Sequence, residues 1–177
     1  MIIKRCCFVT RVGIGSEVHV YETINKFECL ATFQCLTAGT MIRGIRFLNR
    51  SLSKQDNIAI SNENETVIVV FGQKESVSFI WNRSVDIKDT NAFLEYWRMV
   101  EAKDWIWDVM IGNITGAKLQ LVRISAHNVL EIWDFSSQQL VQTISSPENS
   151  ILYSASLYHS TERGLLVACG TVFNQVF

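Results

Sequence analysis

The sequence predicts an all-β fold built from repeated units of a few short strands. Two observations carry this. The apolar runs are short, rich in Val, Ile, Phe and Trp, and broken by turn-forming residues about every ten positions. One stretch from Asp104 to Thr143, DWIWDVMIGNITGAKLQLVRISAHNVLEIWDFSSQQLVQT, holds four such runs separated by polar or turn residues. Its third run ends in Trp133-Asp134.

That order, at about forty residues per unit, is the signature of one WD-repeat blade of a β-propeller. DWIWDV reads as the inner strand, with Trp105, Trp107 and Val109 at alternate positions. Trp133 is expected to pack between blades, and Asp134 to turn the chain into the outer strand. The usual Gly-His before the inner strand is Glu101-Ala102 here, and the usual Asp of the central tight turn is His127. The side-chain network common in such repeats is therefore degenerate.

Trp133 serves as an anchor for finding further units. SVSFIW follows TVIVVFG and the polar turn Gln73-Lys74-Glu75, which puts Trp81 in the same place. Upstream, CCFVTRVG, a turn around Gly15-Ser16 and EVHVYE put Tyr21 there. Downstream, LLVACG, a turn at Thr171–Asn174 and the strand Gln175–Phe177 begin the scheme again. The anchors are spaced more widely than the roughly 40–45 residues typical of such units. The excess falls in the polar inserts Asn49–Glu65 and Asn82–Asn91, and loops of that kind are where partners bind. Ala92–Lys103 reads either as a short helix or as the outer strand of the second unit.

The expected organisation is a partial first blade over 1–40 that lacks its inner strand. A second blade with inserts spans 41–100, the best repeat 101–145, and a truncated fourth blade 146–177. This amounts to about three blades of a larger, here incomplete, propeller. Closure takes roughly four to eight blades and removes exposed sheet edges, so a piece of a longer protein or a prematurely ended reading frame is expected.

Composition narrows the function. The net charge is −1, so no overall basic field advertises nucleic acid, and no DNA partner is expected. The lone Pro147 argues against a disordered tail. Cys6, Cys7, Cys29, Cys35 and Cys169 contain no CxxC pair of the kind that holds zinc. They read as reduced, mostly buried thiols of an intracellular protein. MIIKRCCFVTRVGIG has no apolar core or cleavage site of a signal peptide. No run reaches the roughly 18 apolar residues that span a bilayer. A cytoplasmic location is expected, and the Asn-x-Ser/Thr triplets at Asn49, Asn64, Asn82 and Asn113 read as chance.

Each chemically suggestive residue also has a structural reading. His127 suits contact with RNA or a partner, but a turn residue that satisfies backbone groups is the better account. Gly13-Ile14-Gly15 lacks a third glycine, because position 18 is Val, and reads as a turn. Trp105 and Trp107 suit base stacking, but blade packing is the better account. Arg43, Arg46 and Arg50 suit phosphate, but a solvated strand edge is the better account. His19, His127 and His159 fall in separate units and form no catalytic arrangement.

DWIWDV, then LVRISAHNVLEIWD, then ILYSASLYHSTERGLLVACGTVFNQV resembles one family closely. It is the WD-repeat regulatory subunits of tRNA wobble-position 2′-O-ribose methyltransferase. The family's His-Asn turn corresponds to His127-Asn128, and its GTVFN-like hairpin to Gly170–Asn174. The likeness covers about Asp104 to Val176. The family's proteins are much longer, so this chain would match an N-terminal portion. The resemblance implies a non-catalytic subunit that binds the methyltransferase and helps present the tRNA anticodon loop. The methyltransferase, not the propeller, uses S-adenosylmethionine, so no catalytic residue, cofactor or metal is expected in this chain. A generic interaction scaffold, for instance in endosomal recycling or trafficking, is the alternative.

Overall fold

The computed structural model describes residues 6–10, 15–22, 28–47, 64–99, 102–114, 118–146, 150–160 and 162–171. Arg50, Gly13-Ile14, most of the Asn49–Glu65 insert and the expected Gln175–Phe177 strand lie outside them.

Every strand pairing is antiparallel. β1 (Cys6–Thr10), β2 (Glu17–Glu22) and β3 (Cys29–Gln34) form the first sheet. β4 (Ile42–Phe47), β5 (Glu65–Gly72), β6 (Ser76–Asn82) and β7 (Phe93–Met99) form the second. β8 (Ile106–Gly112), β9 (Gln120–Ser125), β10 (Val129–Asp134) and β11 (Gln139–Ser145) form the third. β12 (Leu152–Ser160) and β13 (Gly164–Thr171) make a final hairpin. The ambiguous Ala92–Lys103 segment resolves to the strand β7, entered through a 3-10 turn at Thr90–Ala92 that Asp89 caps.

The sheets stack face to face, and the core lies between them. Between the first two sheets, Val18 of β2 and Leu36 meet Ile68, Val70, Val77 and Phe79. Between the second and third, Val67, Val69 and Phe71 meet Ile106, Val109, Ile111 and Leu121, with Phe135 filling the outer end. Between the third sheet and the last hairpin, Val122, Ile124, Leu130 and Ile132 meet Leu152 and Cys169. β5 sends alternate side chains into two of these layers. That explains why TVIVVFG is continuously apolar where a half-exposed strand would alternate. Each fully buried Val, Ile or Phe contributes about 1.5–3 kcal/mol, so the sheets hold one another. The outer strand β11 is exposed throughout.

A belt of backbone contacts crosses all four sheets at one end of the inner strands β4, β8 and β12. Ile42 N donates to Gly15 O at 3.3 Å, and Gln73 N to Met41 O at 3.0 Å. Gln73 bridges Trp105. Ala126 N donates to Trp105 O at 2.8 Å, and Leu152 N to Ala126 O at 2.7 Å. The tight turn of each unit thus pairs with the start of the next inner strand. Within the second sheet, Gly72 lets the β5–β6 turn lie close against the start of β4: a Cβ there would lie 1.9 Å from Met41 O.

Candidate functional site

Among the residues singled out from sequence, Trp133 lies at the interface of the second and third sheets. Its ring meets Trp97 edge-on at 5.8 Å, and the Arg123 guanidinium lies 5.7 Å from its centroid. Trp81 lies one sheet earlier, on β6, and stacks on Phe93 at 5.9 Å. Tyr21 lies on β2, half-buried, and stacks on His19 at 6.3 Å.

Asp134 is buried at the end of β10 and makes a side-chain turn. Its Oδ1 accepts from Ser136 N at 3.0 Å and Ser137 N at 2.8 Å, and its Oδ2 faces Lys118 Nζ at 3.3 Å. The Ser137 backbone N–H, helped by Lys118, holds this carboxyl below the usual carboxylate range.

His127 sits exposed in the β9–β10 turn, next to Asn128 at φ 56°. Its Nε2 faces Asp104 Oδ2 at 3.6 Å, so the ring meets a carboxylate rather than satisfying the turn's backbone. The corresponding β5–β6 turn uses a buried Glu75, which accepts from Thr37 and Thr40 and pairs with Arg98 at 3.1 Å. Both turns tie themselves to the segment leading into their own sheet, through different chemistry. Glu75 and Arg98 carry no sequence motif; their pairing emerges only when β7 pairs with β6 in the same sheet and brings Arg98 beside the β5–β6 turn.

Trp105 and Trp107 stack at 6.2 Å with 13° between their planes. Trp107 and Val109 do not share a face, contrary to the alternation expected. A β-bulge between Ile106 and Asp108 makes Trp107 an extra residue, so Ile106 and Val109 both enter the layer facing the second sheet. Trp107 leans towards the last hairpin, where its Nε1 donates to Leu152 O at 2.9 Å. The same irregularity occurs at Arg43 on β4, between Ile42 and Gly44, and at Tyr153 on β12, between Leu152 and Ser154. The Arg43 guanidinium lies 5.0 Å from the Trp107 ring. At Gly44 a Cβ would meet the Phe71 ring at 2.6 Å, so the residue after the first bulge must be small. The triplets Ile42-Arg43-Gly44, Ile106-Trp107-Asp108 and Leu152-Tyr153-Ser154 share a large apolar first residue and a small or short polar third. This weak signal becomes readable once the register is known.

Of the arginines weighed for phosphate, Arg46 is engaged by Asp108 at 2.8 Å. Cys35 and Cys169 are buried free thiols, and Cys29 is exposed, so burial does not extend to all of the described cysteines. Burial pushes the Cys35 thiol up to about 12. Cys6 and Cys7 lie on β1. Among the described residues, no group of three or more His, Cys, Asp or Glu is placed to hold a metal, and no helix is long and apolar enough to cross a membrane.

Stacked antiparallel four-strand sheets, joined turn to inner strand, define the fold as WD-repeat β-propeller blades. No family model and no curated protein matches the chain. Among solved structures the chain is similar to the WD-repeat protein Sqt1 of Saccharomyces cerevisiae, with 14% identity and a TM-score of 0.57. The match covers 93% of this chain and 42% of the Sqt1 chain, so this chain spans less than half of that protein's length.

Proposed function

We propose that this chain is a non-catalytic, cytoplasmic WD-repeat scaffold that binds a tRNA 2′-O-ribose methyltransferase and supports methylation of the anticodon wobble nucleotide. The carrying observation is the unit from Asp104 to Thr143. It folds as a four-strand sheet with His127-Asn128 in its tight turn, inside the segment that resembles the methyltransferase subunits. In this reading the units are 1–40, 41–100, 101–145 and 146–177. Tyr21, Trp81 and Trp133 are their equivalent third-strand positions. The chain supplies surfaces; the partner supplies S-adenosylmethionine and the chemistry, and tRNA is reached through the complex.

The test pairs purification of the tagged chain from cells with mapping of ribose methylation after its gene is deleted. Recovery of the methyltransferase, together with loss of wobble methylation, is the expected result. Methylation unchanged in every tRNA examined refutes the reading. Recovery of trafficking proteins instead would make the chain a scaffold of endosomal recycling.

A further inference from the structure

A bulge takes one residue out of the two-residue alternation of a strand and re-aims its side chain. Here bulges recur at equivalent places on three neighbouring inner strands, at Arg43, Trp107 and Tyr153. Each of the first two reaches towards the next strand: Arg43 covers the Trp107 ring, and Trp107 bonds Leu152 O. Tyr153 ends the row and is 62% exposed. Met41 and Ile151, just before β4 and β12, are 38% and 52% exposed. Exposed Arg43, Tyr153 and Met41 around the half-buried Trp107 match the composition of the energetic centre of protein interfaces.

Among the described residues, the fully exposed charges at this end are cationic. Arg43, Lys74 and Lys103 are exposed, and Lys74 is joined to the entry of the third sheet by the Ala102 N to Lys74 O bond of 3.1 Å. The nearby described carboxylates are engaged. Glu75 is closed off by Arg98 and the threonines, Asp104 faces His127, and Asp108 is buried against Arg46. A surface of this kind attracts acidic partners. RNA is a poorer fit. Phosphate-driven binding uses of the order of six to ten contacts, and stacking on bases needs an open ring face, whereas Trp107 is covered by Arg43.

We propose that the ledge of Arg43, Trp107 and Tyr153, flanked by Met41 and Ile151, docks an acidic segment of a protein partner bearing an apolar side chain. This rests on the reading of the chain as a partner-binding scaffold and names the surface it uses.

The experiment measures fluorescence anisotropy of the purified full chain with a labelled peptide of glutamates around one phenylalanine and one leucine. The same peptide with lysine for glutamate and a labelled oligouridylate are the counter-probes. Arg43→Glu is expected to weaken the acidic peptide about tenfold, and Tyr153→Ala about fivefold. Leu140→Ser, on the exposed β11, should leave affinity unchanged. An unchanged denaturation midpoint for each variant shows that the fold is intact. Equal binding of the acidic and basic peptides overturns the proposal, as does acidic-peptide affinity indifferent to both ledge variants. Tighter binding of oligouridylate, lost in Arg43→Glu, overturns it in favour of an RNA surface. The methyltransferase reading is scored separately by pull-down. If wild type and Arg43→Glu both recover the methyltransferase, the ledge fails and that reading stands. If neither recovers it while the peptide results hold, the reading fails and the ledge stands.

Discussion

Arg46 on β4 places its Nη2 2.8 Å from Oδ1 of Asp108 on β8, joining the inner strands of the second and third sheets. The same carboxylate accepts from Val109 N at 2.8 Å, and from Leu157 N on β12 at 2.8 Å. One buried side chain thus ties three consecutive inner strands.

Removing Asp108 should therefore cost far more than removing Arg46. Asp108→Ala leaves two backbone N–H groups without their acceptor and is expected to destabilise by about 2–4 kcal/mol. Arg46→Ala leaves the buried Asp108 carboxylate its two N–H donors but not its cation, and is expected to cost about 1 kcal/mol. Urea denaturation of both variants checks the order, and equal losses would contradict it.

Gly72→Ala tests the belt. A methyl 1.9 Å from Met41 O forces β4 away from the β5–β6 turn. The expected loss is about 3 kcal/mol, at the upper end for overpacking. Amide exchange should quicken at Gln73, which donates to Met41; protection as in wild type would show that the belt tolerates a side chain.

Asp134 should impose a pH dependence. Its carboxyl is held below the ordinary value, chiefly by the Ser137 N–H. The stability it contributes is complete above the ordinary carboxylate pKa and is lost as pH falls through the lower folded value. Asp134→Ala is expected to cost about 1 kcal/mol at neutral pH. The gap from wild type should narrow between about pH 5 and about pH 2. A gap constant with pH would assign the effect to packing alone.

Thiol labelling should separate Cys29 from Cys35. With its pKa at about 12, Cys35 holds only a minute thiolate fraction at pH 8, and it is buried. Cys29 is exposed and should react with a maleimide in the native state, Cys35 only after denaturant is added. Mass spectrometry of the labelled peptides reads the result.

The sequence alone determined most of the strands and the class of fold. Short apolar runs between turn residues report a local property, the two-residue period of a strand and the polarity of its turns. Trp81 and Trp133 each close an apolar run in the sequence, and they lie near the ends of β6 and β10. The β7 segment was undecided because its own periodicity suits helix and strand equally; pairing with β6 settled it. The tertiary structure decided everything that depends on which strand lies beside which. The bulge at Trp107 reverses the parity of DWIWDV, and no local preference announces an extra residue. Asp108 looks like any polar strand residue until β4 and β12 close on it. The Arg43–Trp107–Tyr153 row joins residues from three separate units. Contacts of that kind are set by packing between sheets far apart in the chain, and the sequence of one unit carries no record of its neighbours.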